Sequence, residues 1–201
     1  VLFDDSLHKA GFPGNSRALS ALEPSSDKYF PSGTWSGYEG SDEFVSNWYS
    51  SRLAAMKEPS LLNLPAKPTH VYRFVWLRSF HRPIAVRVWR ENCRSYLVAK
   101  ELDGRGGYEP GKLVHDKRKP LTETEWLGFL RLLNQTNYWQ MPTEIHEGGN
   151  EGAEWILEGI RDGRYHIVER WSPRAGEYRA ACLYLLNAAG LGVTETDPDV
   201  Y

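Results

Sequence analysis

The chain predicts an α+β fold, an antiparallel sheet of about five strands with two helices packed on one face, plus an N-terminal arm and helix. Three observations lead there. Two runs rich in Ile, Val, Trp and Tyr, Trp155–Ile160 and Tyr165–Trp171, flank Arg161-Asp162-Gly163-Arg164, where Asp-Gly supplies the positive φ angles of a tight hairpin. Ile84–Arg90 and Ser95–Glu101 flank Glu91-Asn92-Cys93-Arg94 in the same way, with Val71–Phe80 as a further strand before them. Behind each group of strands stands a stretch of helical periodicity, so the order is three strands and a helix, then two strands and a helix.

With 201 residues and 41% hydrophobic content, the chain suits one folded core. Residues 1–40 are rich in Gly, Pro and Ser yet hold Phe3, Phe12, Tyr29, Phe30, Trp35 and Tyr38. Linkers seldom carry so many aromatics, so this is an irregular arm that lies against a domain spanning residues 41–201. From Ser41 as N-cap, Asp42 and Glu43 suit the positive end of a helix, and Phe44, Val45, Trp48, Tyr49, Leu53 and Met56 form its apolar stripe. Pro59, Pro65 and Pro68 then make an extended connector.

A centred turn in the first hairpin puts Ile84, Val86, Val88, Leu97 and Ala99 on the core face, and Arg87, Trp89, Tyr96, Val98 and Lys100 on the other. Residues 103–111 read as a flexible glycine-rich loop leading into the charged run His115-Asp116-Lys117-Arg118-Lys119. Thr122 as N-cap and Glu125 complete a capping box, after which Trp126, Phe129, Leu130 and Leu133 repeat on one face. In the second hairpin, Ile160 pairs with Tyr165 and Glu154 with Trp171. One face carries Trp155, Leu157, His166, Val168 and Arg170; the other mixes Ile156, Ile160, Tyr165, Ile167 and Trp171 with Glu154, Glu158 and Glu169, and is expected to be the more solvated. Ser172-Pro173 then offers an N-cap and first position for the last helix, with Gly176 able to delay the start; its buried face is Tyr178, Cys182, Leu185, Leu186 and Ala189 and its stop is Gly190.

The segments YRFVWLRSFHRPIAVRV (72–88), GGYEPGKL (106–113), LTETEW (121–126), EGAEWILEG (151–159) and GRYHIVERWSP (163–173) together resemble a family of uncharacterised bacterial proteins whose members are often exported. The likeness covers residues 43–191 and differs in having Glu151-Gly152 where the family has Asp-Gly. It implies a periplasmic or envelope-associated location, with the cytoplasm as the alternative, and supplies no catalytic residue. The chain opens at Val1 rather than Met, which suits processing, truncation or removal of an export signal.

Composition narrows the function classes. Lys and Arg number 24 against 26 Asp and Glu, a net charge of −2, so no global charge recruits nucleic acid. No apolar run approaches about 18 residues, the length a spanning helix needs. Cys93 and Cys182 have neither metal-ligand spacing nor a redox motif and are expected as two separate thiols. His81, His115-Asp116 and His146-Glu147 fit no metal-binding spacing, and Gly104-Arg105-Gly106-Gly107 lacks the lysine and helix start of a phosphate loop, so no cofactor is expected.

Two constellations can carry chemistry. His166 stands opposite Gly159 with open space above that partner, and with a nearby glutamate such as Glu169 it suits the acid and base of a hydrolase, or a purely structural histidine. Arg170 opposite Trp155 suits a cation–π stack. Trp89, Tyr96, Tyr165 and Trp171, rimmed by Arg87 and Lys100, form an aromatic patch on the outer sheet face. Such a patch calls for a cover, either the arm and first helix or a protein, peptide or glycan partner. The leading expectation is a non-catalytic binding or interaction module of the bacterial envelope. The alternatives are the His166 hydrolase and a homo- or hetero-oligomer subunit held by the arm.

Overall fold

The structure is a computed structural model that describes residues 28–35, 42–64, 70–145, 149, 151–191 and 200–201. The arm aromatics Phe3, Phe12 and Tyr38, the N-cap Ser41, Pro65, Pro68 and the pair His146-Glu147 lie outside the described residues. Helix α1 (Asp42–Ala55) precedes strands β1 (His70–Arg78), β2 (Ile84–Glu91), β3 (Arg94–Leu102) and β4 (Leu113–Leu121). Helix α2 (Glu123–Gln135), strands β5 (Ala153–Arg161) and β6 (Arg164–Trp171) and helix α3 (Glu177–Ala189) complete the order. The strands form one antiparallel sheet in the order β4-β3-β2-β1-β5-β6.

Local chemistry sets both hairpins as expected. Asn92 and Cys93 take φ of 49° and 62°, and Glu91 pairs with Arg94; Asp162 and Gly163 take 51° and 81°, and Arg161 pairs with Arg164. These are the left-handed turn angles that match strand twist. The capping box of α2 forms, with Thr122 Oγ1 accepting from Glu125 N and Glu125 Oε2 accepting from Thr122 N.

One expectation fails locally, and one open choice is decided. The charged run 115–119 is not loop but the middle of β4, so the sheet has six strands. Charge and a proline at position 120 suit an edge strand, whose outer side needs no apolar cover. Helix α3 starts at Glu177 behind Gly176, the delayed start the sequence allows, and not at Ser172-Pro173. Ser172 instead turns left-handed, φ 40°, and its Oγ accepts from Ala153 N at 2.8 Å, closing the open end of the β5–β6 hairpin.

The sheet has a core on each side. On the inner face, Tyr72, Phe74, Trp76, Val86, Val88, Leu97, Trp155, Leu157 and Val168 pack against Trp126, Phe129 and Leu133 of α2 and Tyr178, Cys182, Leu185 and Leu186 of α3. Cys182 is buried, Cys93 is exposed, and both are free thiols. On the outer face, Tyr29, Phe30 and Trp35 of the arm and Val45, Tyr49, Leu53 and Met56 of α1 cover Val75, Leu77, Ala85, Leu102, Ile156 and Ile167. Trp35 is fully buried, its ring 5.4 Å from Phe30 and 5.0 Å from Tyr49. The described part of the arm therefore packs on the sheet of its own chain. Trp35→Ala removes this keystone and is expected to cost about 3–5 kcal/mol, seen as a lower urea midpoint at unchanged m-value.

Candidate functional site

The register of the outer face brings charges into rows. Arg118, Val98, Arg87, Arg73, Glu158 and Ile167 lie side by side from β4 to β6, and the next row is Asp116, Lys100, Ala85, Val75, Ile156 and Glu169. This face is not the solvated one. Glu158 is 0% exposed, Glu169 1% and Glu154 6%. Burial of ionised groups demands partners, and at the centre they are present. Arg73, fully buried, donates Nε to Glu158 Oε1 at 2.6 Å and Nη1 to the Pro59 carbonyl at 2.6 Å, with Nη2 on the same Glu158 oxygen. Glu58, in the turn after α1, takes Arg87 Nε at 2.8 Å, Lys100 Nζ at 3.2 Å and Arg73 Nη1 at 3.5 Å. Those cations hold the Glu58 carboxyl below its ordinary value despite burial. Burial pushes Glu158 upward against the pull of Arg73. Tyr165 Oη donates to Glu158 Oε2 at 3.2 Å. Arg73 and Glu58 carry no sequence motif; the one signal was an arginine inside the apolar run Val71–Trp76, which requires a buried carboxylate.

Glu154 and Glu169, diagonal neighbours on β5 and β6, form a second buried group. Their carboxyls hydrogen-bond each other, and Tyr49 of α1 bonds Glu154. Loss of solvent, then repulsion by Glu169, holds the Glu154 carboxyl well above the ordinary carboxylate range. The pair lies buried on the outer face, near Tyr49 of α1 and away from solvent, which suits locking the helix to the sheet better than turnover.

His166 lies on the inner face, whereas Glu154, Glu158 and Glu169 all lie on the outer, so the sheet separates the histidine from every glutamate of its hairpin. The space over Gly159 is not open either. A Cβ added there would meet Tyr72 Cδ1 at 2.6 Å and Tyr138 Oη at 3.4 Å. His166 sits edge-on to Tyr138, ring centres 5.0 Å apart, with Trp139 at 6.0 Å. Burial, then Arg164, lowers its pKa, which keeps the imidazole neutral. It is part-buried and packed against these two rings. Trp155 does receive a cation, but from Arg179 at 5.1 Å; Arg170 lies 5.9 Å from Tyr178 and donates to the Pro142 and Thr143 carbonyls. His81 Nδ1 is 2.9 Å from Tyr201 Oη, and among the described residues no three His, Cys, Asp or Glu side chains gather as a metal-holding group.

The expected aromatic patch divides. Tyr165 is tied down by Glu158, and Trp171, six residues along β6, lies against Gly149 and Gly152 at the other end. Trp89 and Tyr96 do meet, stacked at 5.4 Å and 28°, and both stay part-exposed. Arg87 lies 4.9 Å from the Trp89 ring, and Arg118 lies 4.9 Å from Trp89 and 4.8 Å from Tyr96. Pro120 extends the row beside Tyr96. Arg118 was missed because β4 had not been read as a strand. The result is a corner of two rings and two guanidiniums, which offers apolar surface and anion-directed N–H groups together. No family model, curated protein or solved structure matches the chain.

Arg73→Met leaves Glu58 and Glu158 short of their central cation and is expected to cost about 3–5 kcal/mol; a double-mutant cycle with Glu158→Leu will show a coupling energy well above zero in denaturant titrations. The pair Glu154–Glu169 gives a pH effect of definite sign. An unfolded glutamate titrates near 4.5 and Glu154 in the folded protein well above it. Its contribution is therefore full below that value and is lost as pH rises through the folded-state pKa. Glu58 runs the other way, losing its contribution as pH falls below the ordinary range. Relative to the wild type, Glu154→Gln is expected to gain stability steadily from about pH 5 to pH 8, measured as the difference in urea midpoint at each pH.

Proposed function

We propose that this protein is a non-catalytic binding or interaction module whose recognition surface is the corner formed by Trp89, Tyr96, Arg87 and Arg118. One observation carries the reading. Among the described residues, the arm and α1 cover the outer face over Val75, Leu77, Ala85, Leu102, Ile156 and Ile167 but not the Trp89–Tyr96 stack, which stays part-exposed beside two arginines. Trp, Tyr and Arg are the side chains that dominate binding energy at protein interfaces. The rings are stiff and the guanidiniums rest on them, so little conformational entropy remains to be lost when a partner docks. A protein, peptide or glycan partner fits this surface, and Arg87, already held by Glu58, gives it a rigid floor.

An envelope location goes with this reading through the resemblance of segments such as GGYEPGKL (106–113) to an often-exported bacterial family. The hydrolase alternative loses its acid–base pair, because His166 and Glu169 stand on opposite faces. Screening wild type and Trp89→Ala on peptide and glycan arrays tests the reading. Loss of one or two such anchors is expected to weaken captured ligands by about tenfold or more, and hits that bind Trp89→Ala as well as wild type would remove the corner as the site.

A further inference from the structure

The two edges of the sheet are treated differently. At β6, Glu169 N donates outward to the Thr143 carbonyl at 2.7 Å, while the His166 and Val168 carbonyls face β5, where Tyr138 Oη and Tyr178 Oη bond them together with the Leu157 and Trp155 carbonyls. That edge is therefore engaged by another segment of the chain at Glu169. At β4 the outer side pairs with no strand, and among the described residues no hydrogen bond from outside the sheet reaches the backbone of Leu113–Leu121. An open edge is a template for an added strand.

The side chains of β4 say which strand. Lys117 and Lys119 project on the inner face and Arg118 on the outer, so both faces of the edge are cationic in its middle. Lys119 is held by Glu125 at 3.1 Å, whereas Lys117 and Arg118 are exposed, and among the described residues neither has a carboxylate within ion-pair distance. Lysines on an edge deter neutral and basic strands from pairing. An acidic strand reverses that sign, since its alternating side chains meet a cation on either face. Arg118 is also held in place by Trp89 and Tyr96, at 4.9 and 4.8 Å. Pro120 has no N–H and limits pairing to the stretch before it, Leu113–Lys119.

We propose that β4 is the docking edge for an extended acidic segment of a partner protein, which adds as a seventh strand and sets its carboxylates against Lys117 and Arg118. The proposal rests on the corner being the recognition surface and names what it recognises. Arg118 joins the two, because it belongs to the edge strand and to the aromatic stack at once.

The probe is a blocked nonapeptide of Val with a central run of consecutive Glu, which puts carboxylates on both faces of an added strand, with two controls: the same peptide with Lys for Glu, and the acidic peptide N-methylated at alternate residues. N-methylation keeps the charge and removes strand hydrogen bonds. Fluorescence anisotropy is expected to show binding of the acidic peptide at about 1–100 μM, weakened about tenfold or more by N-methylation and by Lys117→Glu/Arg118→Glu. Hydrogen exchange on the complex is expected to slow amides within Leu113–Lys119. No binding by about 1 mM, equal binding of the Lys peptide, or equal binding of the N-methylated peptide would each overturn strand addition. Array ligands lost in Trp89→Ala but retained in Lys117→Glu/Arg118→Glu would sink the edge proposal while leaving the corner reading intact.

Discussion

Arg73 lies in the middle of a central strand with no solvent contact, and a guanidinium in that position stays charged. Two carboxylates from separate parts of the chain answer it. Glu158 stands directly opposite on β5, so the register of β1 with β5 is tied to this pair. Glu58 arrives from the turn that ends α1, and the Pro59 carbonyl beside it accepts from Arg73 as well. That turn in turn positions the arm, because Tyr29 Oη donates to the Glu58 carbonyl at 2.8 Å and Ser60 Oγ to the Lys28 carbonyl at 2.6 Å. The outer layer is thus fastened to the sheet through Arg73 at the centre, with Lys100 and Arg87 on the same Glu58.

The two faces solve burial by different physics. The inner face is aromatic and aliphatic, and packs α2 and α3 by area and shape, a non-directional interaction. The outer face holds Arg73, Arg87, Lys100, Glu58 and Glu158 among its apolar residues, with Glu154 and Glu169 beneath Tyr49. Ionic partners are directional and costly to leave unmade, so they define where α1 and the arm sit more sharply than apolar contact would. The same directionality leaves a boundary. Among the described residues the cover ends beyond Arg87, and the Trp89–Tyr96 stack remains part-exposed with Arg118 upon it.

Much of this was legible from the residues. Asp162-Gly163 and Asn92-Cys93 set the turns, and the alternation of side chains then assigned each residue of both hairpins to its face. Thr122 and Glu125 marked the start of α2 because capping involves residues three apart. Less legible was β4, whose run His115-Asp116-Lys117-Arg118-Lys119 lacks the apolar alternation of a half-buried strand. An edge strand needs no such alternation, since its pairing on one side comes from backbone hydrogen bonds to β3. The start of α3 stays open in the sequence between Ser172-Pro173 and Gly176, and Gly176 prevails because Ser172 serves the hairpin end.

The sequence by itself determined the strands of both hairpins, their register, the faces of their residues and the capping of α2, since each depends on neighbours a few residues apart. Tertiary structure alone decided that the face carrying Glu154, Glu158 and Glu169 is buried. That outcome requires Glu58 and the arm to meet Arg73 and the sheet across long stretches of chain, and no local pattern encodes such a meeting. It also decided the site. Trp89 and Tyr96 are assigned to one face by alternation, but their part-exposure follows from where the described cover lies, and Arg118 reaches them only because β4 pairs with β3.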